Sequence, residues 1–295
     1  MSVKHFTFVV NPSGGTRRGL EVLKKVKPVF AAAELQVHVT KHAGQAAELA
    51  DTLDLSDCDG LCLIGGDGTL HEIVNGLMKR KANVTVPLGI IPGGTGNSVA
   101  QHFECIDPVE SARRIVAGNI QPLDVIRVRM GDEVDYCVNI VGWGAVVDIN
   151  RTAEKLRDLG PSRYALAAIP NILRAKRRQA KLVIDGRENQ GNFLFVAACN
   201  TKYTGKGMQL APKANPGDGM LDLVVVRHAS RRQMLKLFQK VFDGSHIALP
   251  YVEYHQVSSF SIESKDIDCL NLDGELKGNT PVSVDVIPRA LKVFA

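Results

Sequence analysis

Over the first 120 residues, short apolar runs alternate with stretches whose apolar positions recur at helical spacing. This pattern predicts strands over 6–10, 35–40, 60–64 and 86–91, with helices over 17–33, 45–53 and 70–79 and another starting at 98–103. Strands alternating with helices predict a parallel sheet covered on both faces. In such a sheet the ligand lies at the carboxyl ends of the strands. Beyond Asp124 the pattern changes. Strand-like runs at 126–130, 135–141, 181–185, 193–198, 221–227, 257–262, 269–272 and 282–286 are separated by turn signals such as Asp185-Gly186, Asp218-Gly219 and Asp273-Gly274. Two helical stretches interrupt them, 153–178 (broken near Gly160-Pro161 and Pro170) and 231–242. The expected fold is an α/β N-terminal domain, residues 1–125, and a mainly antiparallel β-sandwich, residues 126–295. A return of the extreme C-terminus to the first domain is left open.

Composition narrows the class. Apolar residues are 45% and charged residues 23% of 295, the balance of a packed globular protein. No N-terminal apolar core marks a signal peptide, and no run reaches the roughly 18 apolar residues of a membrane span, so a cytoplasmic location is expected. Six cysteines form no Cys-x-x-Cys pair and are expected as reduced thiols. A net charge of +5 suits nucleotide phosphates or an anionic membrane surface; with aromatic residues at only 5%, no nucleic acid partner is expected.

Three loops carry the candidate chemistry. Asn11-Pro12-Ser13-Gly14-Gly15-Thr16 follows the first strand, Gly65-Gly66-Asp67-Gly68-Thr69 the third, and Pro92-Gly93-Gly94-Thr95-Gly96-Asn97 the fourth. Glycines let backbone amides close around phosphate oxygens, and each loop feeds a helix N-terminus that favours anions. Thr16, Thr69, Thr95 and Asn97 add side-chain donors. Asp67 would repel phosphate unless a cation such as Mg²⁺ bridges them; alternatively it accepts a proton from an attacking hydroxyl, or caps a helix. A Walker A loop is absent, because Asn192 follows Gly186–Gly191 where a lysine belongs.

Gly65–Thr69 after a strand resembles the diacylglycerol, sphingosine, ceramide and NAD kinases and, more distantly, the phosphofructokinases. The continuation Leu70-His71-Glu72-Ile73-Val74-Asn75-Gly76-Leu77, together with Asn11-Pro12-x-Gly14-Gly15, Pro92–Asn97 and Leu272-Asp273-Gly274-Glu275, is similar to the lipid-kinase branch. The resemblance implies ATP and Mg²⁺ as cofactors and a nucleotide-binding domain over a lipid-binding sandwich, with ATP in the cleft. Thr40 matches a nucleotide-contacting threonine, and Arg157 and Arg163 match arginines that reach the phosphates. Glu275 matches the proposed base of bacterial members. Asp273 lies two residues away, on the same face if the chain is extended, where it could help manage the metal. Asn215, Asp218 and Met220 match a structural Mg²⁺ site. The run Gly142-Trp143-Gly144 to Asn150 looks like sphingosine and ceramide kinases, with one departure: Asn150 replaces the aspartate that reads a sphingoid head group, and Asp148 is the candidate substitute. The implied acceptor is a lipid hydroxyl at a membrane surface. A sphingoid base is slightly favoured, diacylglycerol or ceramide is the alternative, and an NAD kinase-like enzyme or a non-catalytic binding protein is the rival. Residues 165–178 are expected as a lid or docking helix whose Lys176, Arg177 and Arg178 meet anionic lipid. A homodimer is left open.

Overall fold

The alternating first stretch folds as β1 (Lys4–Val10), α1 (Gly19–Val26), β2 (Ala33–Val39), α2 (Gln45–Thr52), β3 (Gly60–Gly65), α3 (Asp67–Lys79), β4 (Leu88–Pro92), α4 (Ser98–His102) and α5 (Pro108–Ala117). This computed structural model describes residues 3–15, 17–80, 86–156, 163–205 and 207–295, with only the backbone of 163–165. It falls into two units, one comprising the chain up to Asp124 with Arg289–Ala295, the other Val125–Pro288.

In the first unit the strands pair in parallel in the order β2-β1-β3-β4. β3 and β4 are buried at every position, as strands with both faces covered must be. Phe6, Phe8, Val10 and Ile64 pack against Val26 of α1 and Ile115 of α5. α2 and α3 approach so closely that a Cβ on Gly76 would lie 2.2 Å from the Ala47 carbonyl oxygen. The helix predicted over 17–33 ends at Val26 and tightens into a 3₁₀ turn, Lys27–Phe30. Pro28 is the cause, since it has no N–H to donate and restricts the residue before it. α5 was not predicted, although Asp107 caps it by accepting from the Val109 and Glu110 amides, Pro108 opens it, and Gly118 ends it at φ 82°.

The second stretch forms β5 (Ile120–Met130), β6 (Glu133–Cys137), β7 (Ile140–Gly144), α6 (Ala145–Lys155), α7 (Arg163–Arg174), β8 (Arg178–Ile184), β9 (Arg187–Phe193), β10 (Phe195–Cys199), β11 (Leu221–Val226), α8 (Arg231–Lys240), β12 (Glu253–Val257), β13 (Ser259–Ser264), β14 (Cys269–Leu272), β15 (Glu275–Asn279) and β16 (Val282–Phe294). One antiparallel sheet has the order β12-β11-β10-β7-β14-β15. β16, β13, β8 and β9 form a second antiparallel layer, joined by the β5–β6 hairpin. Trp143, Phe193, Val196, Leu223, Phe260 and Leu272 belong to the core between the layers. The outer face of the six-stranded sheet is covered by helices, with Phe195, Ala197 and Val224 clustered with Ala145, Ile172 and Leu237. β10 and β11 are accordingly buried throughout. β16 leaves this unit for the first, where Val293 pairs in parallel with Leu88.

The helical stretch expected over 153–178 is displaced. α6 starts at Ala145, α7 ends at Arg174, and Arg178 already belongs to β8. Gly144 makes the turn at φ 85°, ending β7 without a side-chain cap on the helix that follows.

Candidate active site

In the first unit the three glycine loops meet at the carboxyl ends of β1, β3 and β4, and they meet backbone to backbone. A Cβ on Gly15 would lie 2.8 Å from the Gly94 Cα, and one on Gly94 would lie 2.6 Å from the Gly66 Cα. The Gly93 amide donates to the Gly65 carbonyl at 2.7 Å. Asn11 fixes the first loop: its Nδ2 donates to Thr69 Oγ1 at 2.9 Å and its Oδ1 accepts from the Ser13 amide at 3.0 Å. Asn97, at φ 52°, closes the third loop on itself through the Gly94 amide and carbonyl. Thr40 is buried at the end of β2, where its amide and hydroxyl both donate to the Val10 carbonyl.

α3 opens directly from Gly66, which has no side chain to cap it. Its first-turn amides have no partners within the helix, so this end presents donors and positive dipole next to the glycine loops. Asp67 is the first residue of α3, and it caps a different helix. Its Oδ1 accepts from the Ser98 amide at 2.7 Å and its Oδ2 from the Ser98 hydroxyl at 3.3 Å, so it joins the second loop to α4. A carboxylate oxygen can accept from more than one partner, and a carboxylate is a donor type that suits a hard cation.

In the second unit, Asp273 and Glu275 do not share a face. Asp273 (φ 52°) and Gly274 (φ 97°) are the two central residues of a hairpin turn in which Leu272 pairs with Glu275. Two positive φ values are the mark of a type I′ turn, and they interrupt the extended alternation on which the shared-face expectation rested. Asp273 is 5% exposed, and its carboxylate accepts from the backbone amides of Val138, Asn139 and Ile140 at 2.8–2.9 Å. These three bonds make it an anchor of the turn. Glu275 is exposed at the start of β15, with no hydrogen bond or ion pair among the described residues.

Asp148 is ion-paired within the second unit. Arg178 Nη2 binds both of its oxygens, at 3.0 and 2.9 Å, while Arg178 Nε reaches Asp268 at 3.2 Å. Arg178 is thereby held in ion pairs with two carboxylates of its own unit. Asn150 is 3% exposed; its Nδ2 donates to the Gly274 carbonyl at 2.6 Å and its Oδ1 has no hydrogen-bond partner.

Asn215 and Asp218 fold their loop by accepting from the amides of Gly217 and Met220, respectively. On the adjacent β11, burial pushes the Asp222 carboxyl up to about 6, against the opposing effect of the Tyr254 hydroxyl, with Asp218 adding repulsion. Asp222 Oδ1 is buried without a hydrogen-bond partner, so a carboxylate pair here fits a cation. Thr16 and Arg157, and the side chain of Arg163, lie outside the described residues. Ser98 and Asn271 were not anticipated as site residues; of these only Asn271, three residues before the glycine of an Asp-Gly turn, carries a local signal.

Residues 139–295 match the YegS C-terminal NAD kinase beta sandwich-like domain, and residues 5–128 match the Diacylglycerol kinase catalytic domain. The Chromohalobacter salexigens protein named "Probable lipid kinase YegS-like" is 35% identical over 88% of this chain and 84% of its own length. Sphingosine kinase 1 of Arabidopsis thaliana is 27% identical over 88% of this chain, which spans only 64% of that protein's length. A crystal structure from Bacillus anthracis str. Sterne, assigned as a diacylglycerol kinase, superposes with a TM-score of 0.84 at 26% identity, covering 99% of this chain and 94% of the other. Since the two domain matches together span most of the chain and the most identical of these relatives is matched along most of both chains, the chain belongs to the lipid kinase family of the diacylglycerol kinase catalytic domain.

Proposed function

We propose that the protein is an ATP-dependent kinase that phosphorylates the hydroxyl of a neutral, diacylglycerol-like lipid. The observation that carries this reading is the backbone-to-backbone packing of three glycine loops beside the uncapped amides of α3, an arrangement suited to a polyphosphate. Asp67 would hold the Mg²⁺ that accompanies the nucleotide, while Asp218 with the backbone carbonyls of Asn215 and Met220 would hold a structural one. When bound, the first ion screens charge on the transferring phosphoryl group. Glu275 has an unengaged carboxylate and takes the proton of the lipid hydroxyl.

The acceptor follows from charge. A sphingoid ammonium needs an unpaired carboxylate, because a buried cation without a partner is costly. Asn150 is neutral and Asp148 is ion-paired with Arg178, so neither of the two positions expected to read a head group offers an unpaired carboxylate. This moves the reading from a sphingoid base to a neutral lipid. The test is ³²P transfer from ATP to diacylglycerol, ceramide, sphingosine and NAD. Diacylglycerol is expected to be phosphorylated fastest. Equal or faster transfer to sphingosine overturns the neutral acceptor, transfer to NAD alone overturns the lipid, and ATP binding without turnover overturns the enzyme.

A lipid substrate requires a membrane-docking surface. Leu166, Ile169 and Leu173 are 53%, 49% and 42% exposed on α7, an apolar stripe at helical spacing, and the exposed Arg174, Lys176 and Arg177 follow it. No described helix is long and apolar enough to cross a membrane. An apolar stripe with a basic flank suits shallow insertion into an anionic bilayer. Replacing all three apolar residues with serine is expected to weaken partitioning to anionic vesicles about tenfold or more. Unchanged sedimentation with vesicles would remove α7 from the docking surface.

A further inference from the structure

The bond from Asn150 to Gly274 spans 124 positions of sequence and ends one peptide before Glu275. The Gly274 carbonyl belongs to the peptide plane that leads into Glu275, so whatever holds that oxygen orients the next residue. The plane before it is held as well, because the Gly274 amide donates to Asn271 Oδ1 at 2.8 Å. Asp273 anchors the same turn through the amides of Ile140, the first residue of β7, and of Val138 and Asn139 just before it, and its own amide donates to the Ile140 carbonyl. Glu275 is exposed but sits at the end of a turn fixed on every side. Since a carbonyl oxygen only accepts, the side-chain nitrogen of Asn150 must be the atom that faces it.

We infer that Asn150 is a positioning residue for Glu275, and that this duty bars an ionised aspartate, with its power to read an ammonium group, from position 150. A carboxylate there would set lone pairs against the Gly274 oxygen in a buried place; the amide supplies the donor instead. Asn150 lies in α6, which packs on β14 and β15, so the link ties the helix to the hairpin that presents the base. Substrate class and base orientation are thus set by one side chain. The inference rests on the lipid kinase reading and on Glu275 as its base.

The test uses the full chain carrying Asn150→Asp, Asn150→Ala or Asn271→Ala, assayed with ATP and diacylglycerol vesicles. All three should lower kcat, the Asn150 variants by about 10²-fold, as expected for a misplaced catalytic group, with the KM for ATP within about twofold of wild type by the same reasoning. Asn150→Asp should show an optimum displaced to lower pH, because a protonated carboxyl regains the donor; Asn150→Ala should not. It should gain no activity on sphingosine. Amide hydrogen exchange at Gly274 and Glu275 should quicken about tenfold, the worth of one lost hydrogen bond. Unchanged exchange and kcat overturn the inference, as does an Asn150→Asp enzyme that turns over sphingosine as fast as the wild type turns over diacylglycerol. If wild-type protein phosphorylates no diacylglycerol, the functional reading fails, and the exchange measurement alone then decides the positioning role. Thermal melts identify a variant that merely unfolds, for which the isosteric Asn150→Asp is the control.

Discussion

Glu275→Gln lowers phosphoryl transfer about 10²–10⁴-fold, the usual contribution of a general base, while ATP affinity and thermal stability stay at wild-type values. The reasons are local. Glu275 is exposed and makes no hydrogen bond or ion pair among the described residues, so the fold loses nothing when its charge goes. Glutamine keeps the shape but cannot accept the hydroxyl proton. Single-turnover rates with diacylglycerol, together with calorimetric ATP binding, separate chemistry from affinity. Full activity in this variant would transfer the base role to Asp67, whose carboxylate is otherwise engaged with Ser98.

Asp273→Ala gives the opposite result, a loss of stability of about 3–5 kcal/mol, visible as a lower urea midpoint. Three buried amides lose a charged acceptor at once, and alanine must occupy the left-handed φ that Asp273 adopts. Asp273→Asn retains an acceptor and should lose roughly half as much by the same hydrogen-bond arithmetic. A cost under about 1 kcal/mol for the alanine variant would mean that water replaces the carboxylate and that the turn is not anchored through it. The two neighbouring acids therefore divide the work, one supporting the turn and the other exposed for chemistry.

The phosphate loops were legible in the sequence because a glycine's function is local: the missing Cβ at Gly15, Gly66 and Gly94 is what lets the loops touch. The parallel strands were legible for the same reason, since their apolar runs are bounded by those loops. Helix α5 was also legible, with Asp107, Pro108 and Gly118 as its start and stop signals, and passed unnoticed. α6 was less accessible. Its first residues continue the apolar run of β7, and the chain changes direction at an uncapped glycine. The pairing of Asp148 with Arg178 and the bond from Asn150 to Gly274 join residues 30 and 124 positions apart, and no local pattern encodes them. For that reason the sequence offered Asp148 as a head-group reader without showing the ion pair it makes with Arg178. The shared face expected for Asp273 and Glu275 fails for a different reason: the Asp273-Gly274 turn interrupts the two-residue alternation of an extended chain.

Strand β16 starts in the second unit and ends in the first, where Val293 pairs beside β4. A chain emerging from the ribosome has the other four parallel strands of its first unit available early. The strand beside β4 can be laid down only after the whole second unit has been translated. A fragment cut at Asp124 would reproduce this waiting state indefinitely, with the backbone edge of β4 open to any extended peptide that reaches it.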